Sequence, residues 1–200
     1  VHPSSSMHIA NFRRTDTVSL PGLYLSSVGV SPEDGPGMNE TEVANTIQGD
    51  RDALDGILFR GVGADVLEID GVHRLIRGLR PPHSKCVIET NGSRPSVLDD
   101  LVGAGYADIV SFVFDSYPKK CQLDSMKIAK EGDCKFVVTV VTEPQRMTLE
   151  DVLDLSDRIN GAMSLMIKRS SAPGALQYKK NEISSLAKSM KGTAKEVRIV

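Results

Sequence analysis

The 200-residue chain contains no tryptophan, and aromatic side chains make up only 4% of it. A surface that stacks unpaired bases needs aromatic faces, so that class of nucleic-acid binder is set aside. Cysteine is scarce and odd in number, at three. That argues for reduced thiols in a cytoplasmic protein and against a disulfide frame. An excess of one charge is missing too. Twenty-four Lys and Arg against 26 Asp and Glu leave a net charge of -2, which gives no attraction to nucleic acid or to an anionic membrane. No apolar run approaches the ~20 residues of a membrane span. Residues 1–6 have no apolar signal core. They are read as a disordered remnant foreign to the natural chain, with Met7 as its start and 7–200 as one domain.

What is present is an ordinary globular composition, 40% hydrophobic and 25% charged. Residues 86–118 organise the rest. Cys86-Val87-Ile88 is an apolar run that breaks into Glu89-Thr90-Asn91-Gly92, which is polar and turn-forming. Ser93 reads as a helix N-cap with Pro95 in the first turn, and Val97, Leu98, Leu101 and Val102 recur at helical spacing. Residues 109–114 then form a strand ending in Asp115. A strand–helix–strand unit of this length implies parallel pairing through a right-handed crossover. Sites in such folds sit at the carboxyl ends of strands, so Glu89, Thr90, Asn91 and Asp115 are expected to share one.

The pattern repeats along the chain. Residues 11–20 read as a lead-in segment or hairpin, and 23–26 as a short first strand. The loop expected over 27–37 is long enough to be a site. Asn39 and Glu42 have the spacing of a capping pair before a helix. A strand at 54–59 exits through Arg60-Gly61-Val62-Gly63, and apolar residues from Val66 to Leu79 mark one long helix stopped by Pro81-Pro82. Further strands are expected at 136–141, 163–167 and 196–200, with helices at 123–129, after Thr148, and at 182–190. Alternation of this kind means a parallel α/β sheet, here a partial (βα)6 TIM-like barrel, with a doubly wound sheet as the other solution.

Asp55-Gly56-Ile57-Leu58-Phe59, then Glu89-Thr90-Asn91-Gly92, then Ala107-Asp108-Ile109-Val110 through Asp115, fall in an order that resembles the radical S-adenosylmethionine (SAM) enzymes. The likeness is to the branch that activates anaerobic ribonucleotide reductase and pyruvate formate-lyase. There a strand of the type DGVVFTGGEP precedes one reading ETNG and another reading VDxVxxDxK. The resemblance covers most of the chain as architecture, and ETNG with its following strand is the sharp match. It implies that Gly61, Gly63, Glu89, Thr90, Asn91 and Gly92 are the cofactor-binding positions.

That family carries C-x3-C-x2-C after its first strand. Here Ser27, Ser31 and Asp34 stand where three cysteines would be, and the GGEP motif is Gly61-Val62-Gly63-Ala64, with Asp65 offset by one. A [4Fe–4S] cluster is held by soft thiolates. Serine hydroxyls stay protonated near neutral pH and one carboxylate is a hard ligand, so the loop is not expected to hold a cluster. Cys86 and Cys134 open their strands and are expected at the opposite end from the site, with Cys121 on the same return path.

The expectation is therefore a radical-SAM-like binding, accessory or assembly protein with no metal and no required cofactor. SAM or another small molecule in a retained pocket, and a protein partner, stay open. One alternative is an active radical SAM enzyme whose [4Fe–4S] cluster has atypical ligands. Another is a cluster-free βα-barrel enzyme using Asp115 with Lys168 or Arg169 on a small anionic substrate. Each candidate also has a plain structural role: turn geometry for Gly61, Gly63, Asn91 and Gly92, an ion pair for Asp115, and a solvated strand exit for Lys168-Arg169. His73 reads as a packed helix residue and His83 as loop surface.

Overall fold

The computed structural model describes residues 8–16, 20, 22–32, 37–49, 54–80 and 82–200. The expectations for residues 1–6, for Met7 and for Asp34 lie outside the described residues.

Eight strands form one sheet in sequence order, β1 to β8. They are β1 (His8–Asp16), β2 (Tyr24–Ser31), β3 (Gly56–Gly61), β4 (Lys85–Thr90), β5 (Ile109–Phe114), β6 (Lys135–Thr142), β7 (Ser164–Arg169) and β8 (Val197–Ile199). Strands β2 to β8 pair in parallel, and β1 pairs antiparallel with β2. The seven strands expected from the sequence are β2 to β8. The lead-in segment is the eighth, and β1 and β8 are the two edges of an open sheet.

Which face each side chain takes follows from the two-residue period of a strand. Val28, Ile57, Phe59, Ile88, Val110, Phe112, Val138 and Leu165 pack with the apolar stripes of the helices in one large core. The alternate residues Leu25, Leu58, Val87, Ile109, Val137 and Met166 form a second cluster with Leu20. They are 0–4% exposed, although the residues in contact there come from strands and from Leu20 rather than from any helix. A sheet buries such a face without a helix layer by curling onto it. That places a concave apolar floor inside and the helices outside, the TIM-like arrangement of layers.

The helices are α1 (Glu40–Gly49), α2 (Val72–Leu79), α3 (Pro95–Gly103), α4 (Lys120–Glu131), α5 (Leu149–Asp154), α6 (Ser156–Ile159) and α7 (Lys180–Ser189). Local chemistry sets their starts. The Asn39 and Glu42 backbone N–H groups each donate to the other's side chain at 2.9 Å, and Thr148 and Asp151 do the same at 2.7 and 3.0 Å. Pro95 occupies the first turn of α3, with Arg94 rather than Ser93 as the capping residue.

Besides the Ser93 cap, three expectations change. The single helix expected after Thr148 is two, α5 and α6, meeting at Leu155. The long helix over 66–79 is a 3-10 turn (Val66–Glu68) followed by α2, and the break falls at Gly71, whose φ is 81°. Apolar periodicity continues through that break because both pieces bury residues against the same core. The loop expected from Ser27 begins only after Ser31, because Val28 and Val30 supply buried residues that carry β2 onward. Ser27 is therefore a strand residue, paired with Arg13 on one side and Leu58 on the other.

Candidate functional site

The carboxyl ends of β3, β4 and β5 surround a cavity of about 320 Å³. Gly61, Asp65, Glu89, Thr90, Asn91 and Asp115 line it, with Ala64 and Val113 completing the wall. Among the sequence candidates, Gly61, Glu89, Thr90, Asn91 and Asp115 thus meet in one place. Gly63 and Gly92 are not among its lining residues.

The floor of this mouth is built around Asp65. Its carboxylate accepts the Thr90 hydroxyl at 2.7 Å, the Asn91 N–H at 2.6 Å and the Leu67 N–H at 3.0 Å. Asp65 is also the N-cap of the 3-10 turn, so one carboxylate ties the β3 exit to the β4 exit with charge-assisted bonds. In the sequence Asp65 stands out only as a displaced family carboxylate. The signal that could have found its role is an aspartate just before the first apolar residue of a helical run.

The remaining atoms of the ETNG stretch are also engaged. Thr90 Oγ1 accepts the Gly92 N–H at 2.9 Å, and Asn91 Oδ1 accepts the Ser93 N–H at 2.8 Å. From α4, Gln122 donates to the Asn91 carbonyl and Ser125 to the Gly92 carbonyl, both at 2.8 Å. Gly92 has φ 78°, and a Cβ there would lie 3.1 Å from Ser125 Cβ and 3.3 Å from Phe112. Its glycine serves a left-handed turn pressed against α4. A Cβ on Gly61 would collide with the Ala64 carbonyl oxygen, so the turn itself excludes a side chain there.

Asp115, at the end of β5, accepts from Arg146 at 2.8 Å, both side chains being about half exposed. Lys168 and Arg169 end β7 on opposite faces. Met166 belongs to the concave floor and Ile167 to the helix-side core, so Lys168 faces inward and Arg169 outward.

Just above the apolar floor, on the concave face, lies a row of polar residues in register. Asn11 is the Cα partner of Gly29, Gly29 of Arg60, Arg60 of Glu89, and Glu89 of Ser111. Asn11 Oδ1, Arg60 Nε and Ser111 Oγ are buried and have no hydrogen-bond partner, as is Ser27 Oγ in the row beneath. Buried polar groups of this kind are the ones that take a water or a ligand as partner. Burial raises the pKa of Glu89 above its usual value, with Arg60 and Lys168 pulling it back down and Asp65 adding to the rise.

This arrangement of strands and mouth has counterparts among known proteins. No family model matches the chain, and no curated protein matches it in sequence. Two solved structures of SuiB from Streptococcus suis match it in fold. The one bound to S-adenosylmethionine has a TM-score of 0.58 and 14% identity over 84% of this chain. The one bound to the precursor peptide SuiA has a TM-score of 0.56 and 13% identity over the same share. SuiB is a radical SAM enzyme. At this identity the likeness is one of fold alone, shared with a radical SAM enzyme. This chain spans 44% of SuiB in the first comparison and 43% in the second, less than half its length.

The family that the sequence resembles carries a [4Fe–4S] cluster, and the donors among the described residues do not fit one. Cys86 packs in the helix-side core at the amino end of β4, and burial pushes its thiol up to about 12. Cys134 lies beside the amino end of β6, and burial, with Asp133 adding to it, raises its thiol to about 11. Both lie at the amino ends of their strands, opposite the mouth, and so cannot converge on iron seated there. Cys121 differs from expectation. It opens α4, whose amino end binds the 91–92 loop, so it lies on the mouth side. One thiol does not replace three. Among the described residues, no group of three or more His, Cys, Asp or Glu side chains is placed to hold a metal ion.

Proposed function

We propose that the protein is a radical-SAM-like binding or accessory protein that holds a small molecule in the mouth cavity and does not cleave SAM. One observation carries the reading: the residues around the mouth offer oxygen donors from Asp65, Glu89, Thr90 and Asp115, while Cys86 and Cys134 lie at the opposite ends of their strands and Cys121 is a single thiol on the mouth side. Glu89-Thr90-Asn91-Gly92 and the strand after it support a relation to the activating-enzyme branch. No cysteine precedes Cys86 in the sequence, and this supports the loss of that branch's cluster even though Ser27 lies within β2 rather than in the loop after it.

SuiB has been captured with SAM and with a precursor peptide. By that likeness SAM is a ligand to try first, and a peptide or protein is a partner to look for. Binding SAM without thiolate-held iron leaves its sulfonium intact, because no electron donor is seated beside it.

Anaerobic reconstitution with iron and sulfide, followed by visible absorption and product analysis, tests this. The expected result is no stable cluster chromophore and no 5′-deoxyadenosine. A cluster that survives desalting and turns SAM over refutes it.

A further inference from the structure

We infer that the concave face just below the mouth is a subsite for a small organic monocarboxylate, gripped between Arg60 and Lys168 beside Glu89. The inference rests on the binding reading above and names the ligand chemistry.

The site has two independent supports. The first is the set of unsatisfied groups: Arg60 Nε is buried with no acceptor, and Ser111 Oγ, in a residue 1% exposed, is buried with no partner on the far side of Glu89 in the same register row. Arg60 and Glu89 are direct Cα partners, yet no hydrogen bond or ion pair joins them among the described residues. The row therefore has unused donors that an anionic acceptor would satisfy. The second is access, since Glu89 also lines the 320 Å³ cavity that opens at the mouth.

Charge selects the class of anion. The groups that act on Glu89 are Arg60 from β3, Asp65 from the loop after it and Lys168 from β7. Asp115, which shares the cavity, is paired with Arg146. With Glu89 ionised, the set of Arg60, Lys168, Glu89 and Asp65 is neutral; with Glu89 protonated it carries one positive charge. A monocarboxylate then makes the site neutral, and the Glu89 hydroxyl can donate to it. A phosphate dianion would leave one negative charge in a partly dehydrated row, which disfavours it. Binding is thus coupled to uptake of one proton at Glu89, and it tightens as pH falls.

The test uses the full chain and NMR titration with butyrate at pH 5.5 and 7.5, with butyramide and inorganic phosphate as separate arms. The expected result is saturable butyrate binding that shifts the amides of Gly61, Thr90 and Ser111. It should be at least fivefold tighter at pH 5.5, with no saturable response to butyramide at either pH or to phosphate at pH 7.5, where the dianion prevails. Glu89→Gln should bind butyrate equally at both pH values, Arg60→Gln should lose at least tenfold, and Arg60→Lys should recover part of that loss. Equal responses to butyrate and butyramide, preferred phosphate, or no saturable butyrate binding below 20 mM overturns the inference, and the ligand arms need no variant. Failure here with no cluster formed sinks the subsite alone, whereas SAM cleavage after reconstitution sinks the binding reading itself.

Discussion

The carboxylate of Asp65 accepts the hydroxyl of Thr90 at 2.7 Å across the gap between the β3 and β4 exits. The same carboxylate takes the N–H of Asn91 at 2.6 Å, so it fixes the loop that forms the mouth. Asp65→Ala leaves those part-buried donors unpaired. The expected cost is about 2–4 kcal/mol, read as a fall in Tm of roughly 5–15 °C for a chain of this size. Thr90→Val should remove a smaller share, and backbone amides from 90 to 93 should exchange faster with solvent in both variants.

Two glycines with nearly equal φ separate strain from crowding. Gly63 has φ 81° with open space around a built Cβ, while Gly92 has φ 78° with Ser125 Cβ at 3.1 Å. Gly63→Ala is expected to cost about 1 kcal/mol from backbone conformation alone, and Gly92→Ala about 2–3 kcal/mol as the contact adds to it. Urea denaturation of the two variants compares them directly. Equal costs would mean that α4 yields freely to the added methyl.

The thiols should react in an order set by burial. With its pKa near 11, about one in a thousand Cys134 groups is thiolate at pH 8. Cys86, near 12 and fully buried, should resist iodoacetamide until the protein unfolds. Cys121, partly exposed at the start of α4, should be alkylated first. Peptide mapping by mass spectrometry reads the order.

Glu89 gives a pH dependence with a definite sign. Its folded pKa lies above its ordinary value of 4.5 because burial penalises the charged form. Its contribution to stability is fully present below the unfolded pKa and is lost as pH rises through the folded one. Glu89→Gln removes that loss. The variant should melt higher than the native chain at pH 7.5, and the gap should narrow towards pH 4.5. A native chain that gains stability at Glu89 with rising pH would reverse the assignment.

Much of the architecture was readable from residue patterns, because strands such as 136–141 are almost wholly β-branched and helices such as α5 carry complete capping pairs. The eighth strand is legible only as a lead-in segment or hairpin, because Asn11, Arg13 and Arg14 break its apolar alternation. Its pairing is set by β2, which lies distant in the pattern but adjacent in space. Ser27 looked like loop because polar residues follow Leu25. The valines at 28 and 30, facing the helices, hold that segment in the sheet. At the site, Glu89 and Asp115 were legible as strand-end carboxylates. Asp65 and Arg60 were not, since what matters for each is a partner, or the lack of one, brought near by folding.

The most direct test of the central claim is a count of iron, sulfide and 5′-deoxyadenosine on anaerobically reconstituted, desalted protein, alongside a variant with Cys86, Cys121 and Cys134 all replaced by serine. The expected result is the same background iron in both proteins and no 5′-deoxyadenosine from either. About four irons per native chain, lost in the triple variant and accompanied by SAM turnover, would contradict it.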